Sequence, residues 1–138
     1  MPGAERLVRH LHKHNIPMGI ATSSFREEAI VKTTQPHLAE FFSLFNHIVT
    51  NDDVKHGKPS PDIYLKAASL FPANPKPKDC LVFEDAINGL VAAKKANMQR
   101  VWTPQKFAVS KGIKNLTTKT LKSLEFFQPE LFGLPAFE

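Results

Sequence analysis

Short apolar runs alternate along this chain with longer stretches in which apolar residues return every three or four positions. Ala4, Leu7, Val8 and Leu11 recur at helical spacing among charged residues, which predicts a first helix. Pro2 suits its first turn, Lys13 and His14 suit the negative end of its dipole, and Asn15 tolerates a left-handed stop. Residues 16–21 then read as a buried strand, with Pro17 near its start. Ser24-Phe25-Arg26-Glu27 matches a capping box and predicts a second helix from about Phe25 to Thr33-Thr34, ahead of Gln35-Pro36. A further helical turn follows over residues 38–42, a strand over 45–49 and a turn over 50–53. Ser60-Pro61-Asp62 supplies a cap, a proline and an early acid for a helix running to about Leu70.

Residues 72–77 are a proline-rich connector. A third strand is predicted over residues 80–83, a helix over 87–96 with Asn97 as its stop, and a fourth strand over 100–102 closed by Thr103-Pro104. Residues 121–124 are placed at the start of a short helix, and the phenylalanines of residues 126–137 are placed against the core. Helix and strand therefore alternate four times. That alternation implies an α/β fold, a parallel sheet with helices on both faces.

The length of 138 residues suits one domain with one core. Hydrophobic content of 42% with 22% charged residues is a globular composition. No apolar run approaches the roughly 18 residues needed to cross a bilayer, so no membrane association is expected. Cys80 has no second cysteine to pair with, which fits a reducing cytoplasm. It lies inside an apolar run and reads as core rather than as a nucleophile. The net charge is +5, and residues 86–124 hold no acid while carrying Lys94, Lys95, Arg100, Lys106, Lys111, Lys114, Lys119 and Lys122. Such a field favours anionic ligands. The basic residues are spaced out and not interleaved with aromatics, so a solvated surface is expected rather than a nucleic-acid site.

Chemistry concentrates where strands are predicted to end, which is where open parallel sheets bind ligands. Thr22-Ser23-Ser24 offers hydroxyls and the amides of a helix start, suited to an anion, although Ser24 also suits a plain cap. Lys58 stands between Gly57 and Pro59, as a fixed point charge for a phosphate or as an ordinary loop lysine. Glu84 and Asp85 are adjacent carboxylates after an apolar strand, of the kind that hold Mg²⁺ beside phosphate and water; Asp85 also suits a helix cap. His10, His12 and His14 alternate along a helix and are expected to face different ways, so they form no metal site. No G-x-S-x-G elbow accompanies Ser23 or Ser24, which disfavours triad hydrolysis.

Residues 19–24, 56–62 and 81–89 resemble, in order and separation, the second, third and fourth motifs of the haloacid dehalogenase superfamily of phosphatases. The resemblance covers essentially the whole chain. It implies a Rossmann-like three-layer core in which Thr22 and Ser23 donate to the phosphoryl group. Lys58 would neutralise charge there, and Asp85 with Glu84 would hold Mg²⁺. It also implies hydrolysis of a small phosphorylated metabolite, a nucleotide-like monophosphate in the nearest branch, through an aspartyl phosphate, by a protein that is monomeric at full length. The family's first motif places the nucleophilic aspartate and its acid/base partner on a central strand, followed by a helical cap that chooses the substrate. No Asp-x-Asp follows an apolar run in this sequence. Residues 1–138 are therefore expected to be a partial core without that strand and cap, and without turnover. The strands over 16–21 and 80–83 would flank the missing strand and leave their inner edges unpaired. A non-catalytic chain that binds a phosphorylated ligand or a partner through that open edge is the alternative.

Overall fold

The computed structural model describes residues 1–104 and 115–138. Its elements run α1 (Ala4–Lys13), β1 (Gly19–Ala21), α2 (Arg26–Thr33), α3 (Pro36–Phe42), β2 (His47–Val49), α4 (Asp62–Ser69), β3 (Leu81–Glu84), α5 (Ile87–Lys95), β4 (Gln99–Trp102) and β5 (Lys119–Thr120). The α/β alternation read from the sequence is present. β1 pairs with β2 in parallel, Gly19 opposite His47 and Ala21 opposite Val49. β3 pairs with β4 in parallel, Leu81 opposite Gln99 and Glu84 opposite Trp102, and β4 with β5.

Side-chain alternation along β3 builds a core on each face. Val82 joins Ile63, Tyr64 and Ala67 of α4 and Ala92 and Ala93 of α5. Leu81 and Phe83 turn the other way, onto Leu7 and Leu11 of α1 and Phe127 of the C-terminal segment. This is the three-layer arrangement, helices on both faces of parallel strands. As expected, the tail covers the second core with aromatics: Phe83 meets Phe127 edge-on at 5.0 Å, and Phe127 stacks on Phe132 at 5.5 Å.

β1 and β3 do not pair with each other; they belong to separate two- and three-stranded sheets. Between them lies a cavity of about 510 Å³, bordered by Ile20 and Leu81 on its strand sides, Leu7 below and Ala67 above. Residues of both strands line this space, and neither strand pairs with the other across it.

Several expectations are corrected. The strand over 16–21 shortens to Gly19–Ala21, because Ile16 N bonds back to Leu11 O and Met18 N donates to the Asn46 side chain instead of a ladder. The turn expected over 50–53 is present, as a 3-10 turn over Asn51–Asp53 with its own capping box between Thr50 and Asp53. No helix starts at Leu121; a 3-10 turn spans Leu124–Phe126, and the preceding Lys119–Thr120 form a strand the pattern does not announce. His10 and His14 share a face, with ring centroids 4.6 Å apart, since i and i+4 coincide on a helix. In the basic stretch, Arg100 turns inward to donate to Leu116 O and Met98 O. Lys106, Lys111 and Lys114 lie outside the described residues.

Candidate functional site

The carboxyl end of β1 is fixed by backbone bonds. Thr22 N donates to Val49 O at 2.9 Å, extending the ladder one residue past Ala21. The chain then turns sharply: the Thr22 hydroxyl oxygen accepts from Ser24 N at 3.1 Å, and Ser24 O accepts from Asn51 N at 3.0 Å. Ser23 stands between them, beside the start of α2. The expected capping box at Ser24 is absent. Phe25 occupies the cap position in an extended conformation and has no acceptor. The acceptor comes from the loop after β2 instead, as Arg26 N donates to Asp52 Oδ2 at 2.8 Å. Arg26 also pairs with Asp53, which ties α2 to the same loop.

Lys58 reaches in from the loop before α4. Gly57 before it packs against the Asn51 side chain, so that a Cβ there would sit 2.5 Å from Asn51 Oδ1. The Lys58 ammonium donates to Ala21 O at 3.2 Å and to Glu84 Oε1 at 2.6 Å. One cation thus touches the carboxyl ends of β1 and β3, which puts both ends on the same edge of the molecule. Both side chains of the ion pair are only 9% exposed. A pair so placed is held by its full set of partners rather than by charge alone.

Glu84 has that set. Its Oε1 accepts from Lys58 and from the Tyr64 hydroxyl at 3.0 Å. Its Oε2 accepts from Asp85 N at 2.9 Å and Ala86 N at 3.3 Å. Burial pushes the Glu84 carboxyl up, but Lys58, the Ala86 amide and Tyr64 outweigh it and hold the group below its ordinary value. The Tyr64 phenol is pushed far up by burial and by the Glu84 charge, so it is a permanent donor. The carboxylate lies directly over α5, where a Cβ on Gly89 would come within 1.9 Å of Glu84 Oε1. Asp85 continues past the strand, its carbonyl accepting from Trp102 Nε1 at 3.0 Å.

Thr22 and Ser23 follow the carboxyl end of β1, Glu84 and Asp85 stand at that of β3, and Lys58 bridges the two ends from its loop. Among the described residues no group of three or more His, Cys, Asp or Glu is placed to hold a metal ion. Glu84 has two donors on each oxygen, so its carboxylate is already engaged within the protein, and Asp85 follows it just past the end of β3. Mg²⁺ commonly takes one or two protein carboxylates and completes its shell with phosphate and water, so this donor set fits it. Read from the sequence, Tyr64 and Asp52 have no part in this site, and Gly89 has none beyond its place in the 81–89 segment. A glycine inside a helix costs stability, which was a usable sign of a packing demand at Gly89. Asp52 acts across 26 positions and carried no local signal.

The chain matches the model of a haloacid dehalogenase-like hydrolase over residues 1–97. It is 51% identical over 140 residues to a probable pseudouridine-5'-phosphatase of Drosophila melanogaster, covering 99% of this chain and 59% of that protein. It is 45% identical to (DL)-glycerol-3-phosphatase 2 of Arabidopsis thaliana, covering 100% of this chain and 58% of that one. The chain thus spans less than two thirds of the length of these relatives. In shape it is similar to a family IA HAD hydrolase from Entamoeba histolytica, with a TM-score of 0.81 at 32% identity over 95% of this chain and 58% of the other. It is also similar to CbbY from Rhodobacter sphaeroides in complex with phosphate, with a TM-score of 0.73 at 28% identity over 91% and 54%. With the family model covering residues 1–97, well over half of its length, the chain belongs to the haloacid dehalogenase-like hydrolases.

Proposed function

We propose that this chain forms the phosphoryl-binding side of a Mg²⁺-dependent phosphomonoesterase core. In this reading Lys58 and the Thr22 hydroxyl hold the phosphoryl oxygens, Ser23 adds a donor, and Asp85 binds the cation, with Glu84 beside it. The observation that carries it is the seat of Lys58. An ammonium has three donors; two are spent on Ala21 O and Glu84 Oε1, and the third is left for an oxyanion at the mouth between β1 and β3. Because the Thr22 oxygen already accepts from Ser24 N, its hydrogen is turned to donate elsewhere. When bound, Mg²⁺ supplies positive charge that offsets repulsion between a phosphate and an anionic nucleophile.

The reaction is hydrolysis of a small phosphorylated metabolite through an aspartyl phosphate. Pseudouridine 5'-phosphate comes first among substrates, because the relative named for it shares 51% identity, against 45% for the glycerol-3-phosphatase. The aspartate that would form the intermediate is not among these residues: no Asp-x-Asp follows an apolar run in the sequence. The 138-residue chain is accordingly a partial core that binds phosphate and Mg²⁺ without turnover. A monomeric full-length enzyme in a reducing cytoplasm completes this reading.

Thermal unfolding of the chain with inorganic phosphate and MgCl₂ tests it. A ligand bound only by the folded form raises the midpoint. Phosphate is expected to raise it, Mg²⁺ to enlarge the rise, and Asp85→Ala to remove the Mg²⁺-dependent part. No rise at millimolar phosphate counts against the site. Phosphatase turnover by the chain, abolished in Asp85→Ala, counts against its inactivity.

One observation favours a second reading, the cavity of about 510 Å³ between the facing edges of β1 and β3. Unpaired strand edges are templates for another strand. An extended apolar segment of another chain, lying parallel to both, would complete the sheet. Hydrogen exchange separates the readings: protection of the amides of residues 19–21 and 81–83 that grows with protein concentration supports pairing between chains, and concentration-independent exchange refutes it.

A further inference from the structure

We propose that Tyr64 is the positioning residue that aims Lys58, working through Glu84 from one side and through its ring from the other. This deepens the reading of Lys58 as the phosphoryl-holding cation and rests on it. Tyr64 lies in the first turn of α4 and is 7% exposed. Its hydroxyl donates to Glu84 Oε1, the same oxygen that takes the Lys58 ammonium. Its ring centroid lies 5.1 Å from Lys58 Nζ. That is within the reach at which an aromatic face attracts a cation.

Together these contacts remove the freedom Lys58 would otherwise have. A carboxylate bonded through one oxygen can rotate about its terminal torsion, which is broad. Here Oε2 is pinned by the amides of Asp85 and Ala86. The Tyr64 hydroxyl pins Oε1, so the carboxylate has one orientation and offers Lys58 one direction of approach. The ring fills a further side of the ammonium, beside the bonds to Ala21 O and Glu84 Oε1. Placing a charged group in its working geometry in advance is how a site gains affinity without adding a contact to the ligand. A tyrosine whose hydroxyl was merely satisfied by burial would have no effect on how Lys58 behaves.

The test observes Lys58 directly. In the ¹⁵N-lysine-labelled 138-residue chain, the Lys58 side-chain NH₃⁺ resonance is assigned by its loss in Lys58→Met. Its exchange with water is then measured in wild type, Tyr64→Phe and Tyr64→Leu, beside a titration with inorganic phosphate. Tyr64→Phe keeps the ring and the packing. It is expected to shift and broaden the Lys58 signal and to weaken phosphate binding about tenfold, the scale of one charge-assisted hydrogen bond. Tyr64→Leu, which also loses the ring, is expected to do more of both. A Lys58 signal in Tyr64→Phe that superimposes on wild type, with unchanged phosphate affinity, overturns the positioning role and leaves the phosphatase reading standing. A Lys58 signal that depends on Tyr64 in a chain that binds no phosphate does the reverse.

Discussion

Replacing Gly89 by alanine in an exposed helix would ordinarily stabilise a protein by about 1 kcal/mol, since glycine is the poorer helix former. In this chain the opposite sign is expected. The added Cβ would lie 1.9 Å from Glu84 Oε1, 2.0 Å from Cδ and 2.2 Å from Cγ. No small adjustment clears three atoms at once, so the carboxylate must leave its seat. Leaving means losing Lys58, Tyr64 and two backbone amides as partners. Breaking a buried ion pair costs about 3–5 kcal/mol. Even the lower end of that range, less the helix gain, leaves a net loss of about 2 kcal/mol. For a chain of this size that corresponds to a melting point lower by roughly 8 °C. Urea unfolding followed by the fluorescence of Trp102, the single tryptophan, reads it beside the site. A cycle with Glu84→Ala, which removes all three clashing atoms, isolates the contact. In that background Gly89→Ala should stabilise by about 1 kcal/mol. A stabilising Gly89→Ala in the wild-type background would refute the packing account.

Asp52→Ala removes the acceptor that caps α2 and should lower stability by about 1 kcal/mol, with loss of helix signal at residues 26–28 in hydrogen exchange. Glu84 gives a pH dependence with a definite sign. Its folded value lies below its ordinary 4.5, so its contribution is complete above that value and is lost as pH falls from there through the folded value. Stability measured from pH 6 downward should therefore decline below about 4.5, and Glu84→Gln should flatten that limb. Burial, then Asp79, push the Cys80 thiol up. Labelling by a thiol reagent at pH 7 should be slower than for a free cysteine and should accelerate on unfolding.

The alternation of helices and strands was legible because each element buries one face, and burial leaves a period in the sequence. The strand-end positions of Thr22, Glu84 and Asp85 were legible for the same reason, since apolar runs mark where strands stop, and Lys58 stood out by its place between Gly57 and Pro59. What was not legible depends on distant partners. Ser24 carries a locally perfect cap signature, yet Phe25 takes the cap position and Asp52 supplies the acceptor from the next loop. Lys119 and Thr120 have no strand pattern; they pair because Val101 and Trp102 present an edge to them. Residues 16–18 look like strand but are closed off by Leu11 and the Asn46 side chain. Tyr64 reads as core by its helical position, and its hydroxyl acquires a purpose only when Glu84, 20 residues on, arrives beside it.

A single titration tests most directly whether the ends of β1 and β3 make one phosphoryl site. Backbone amide resonances of the chain are followed while inorganic phosphate is added, with and without MgCl₂. The expected result is saturable movement at Thr22, Ser23, Lys58 and Asp85 together, at lower phosphate when Mg²⁺ is present. Movement confined to the basic residues of α5 and β5, or independent motion of the β1 and β3 ends with different midpoints, would contradict it.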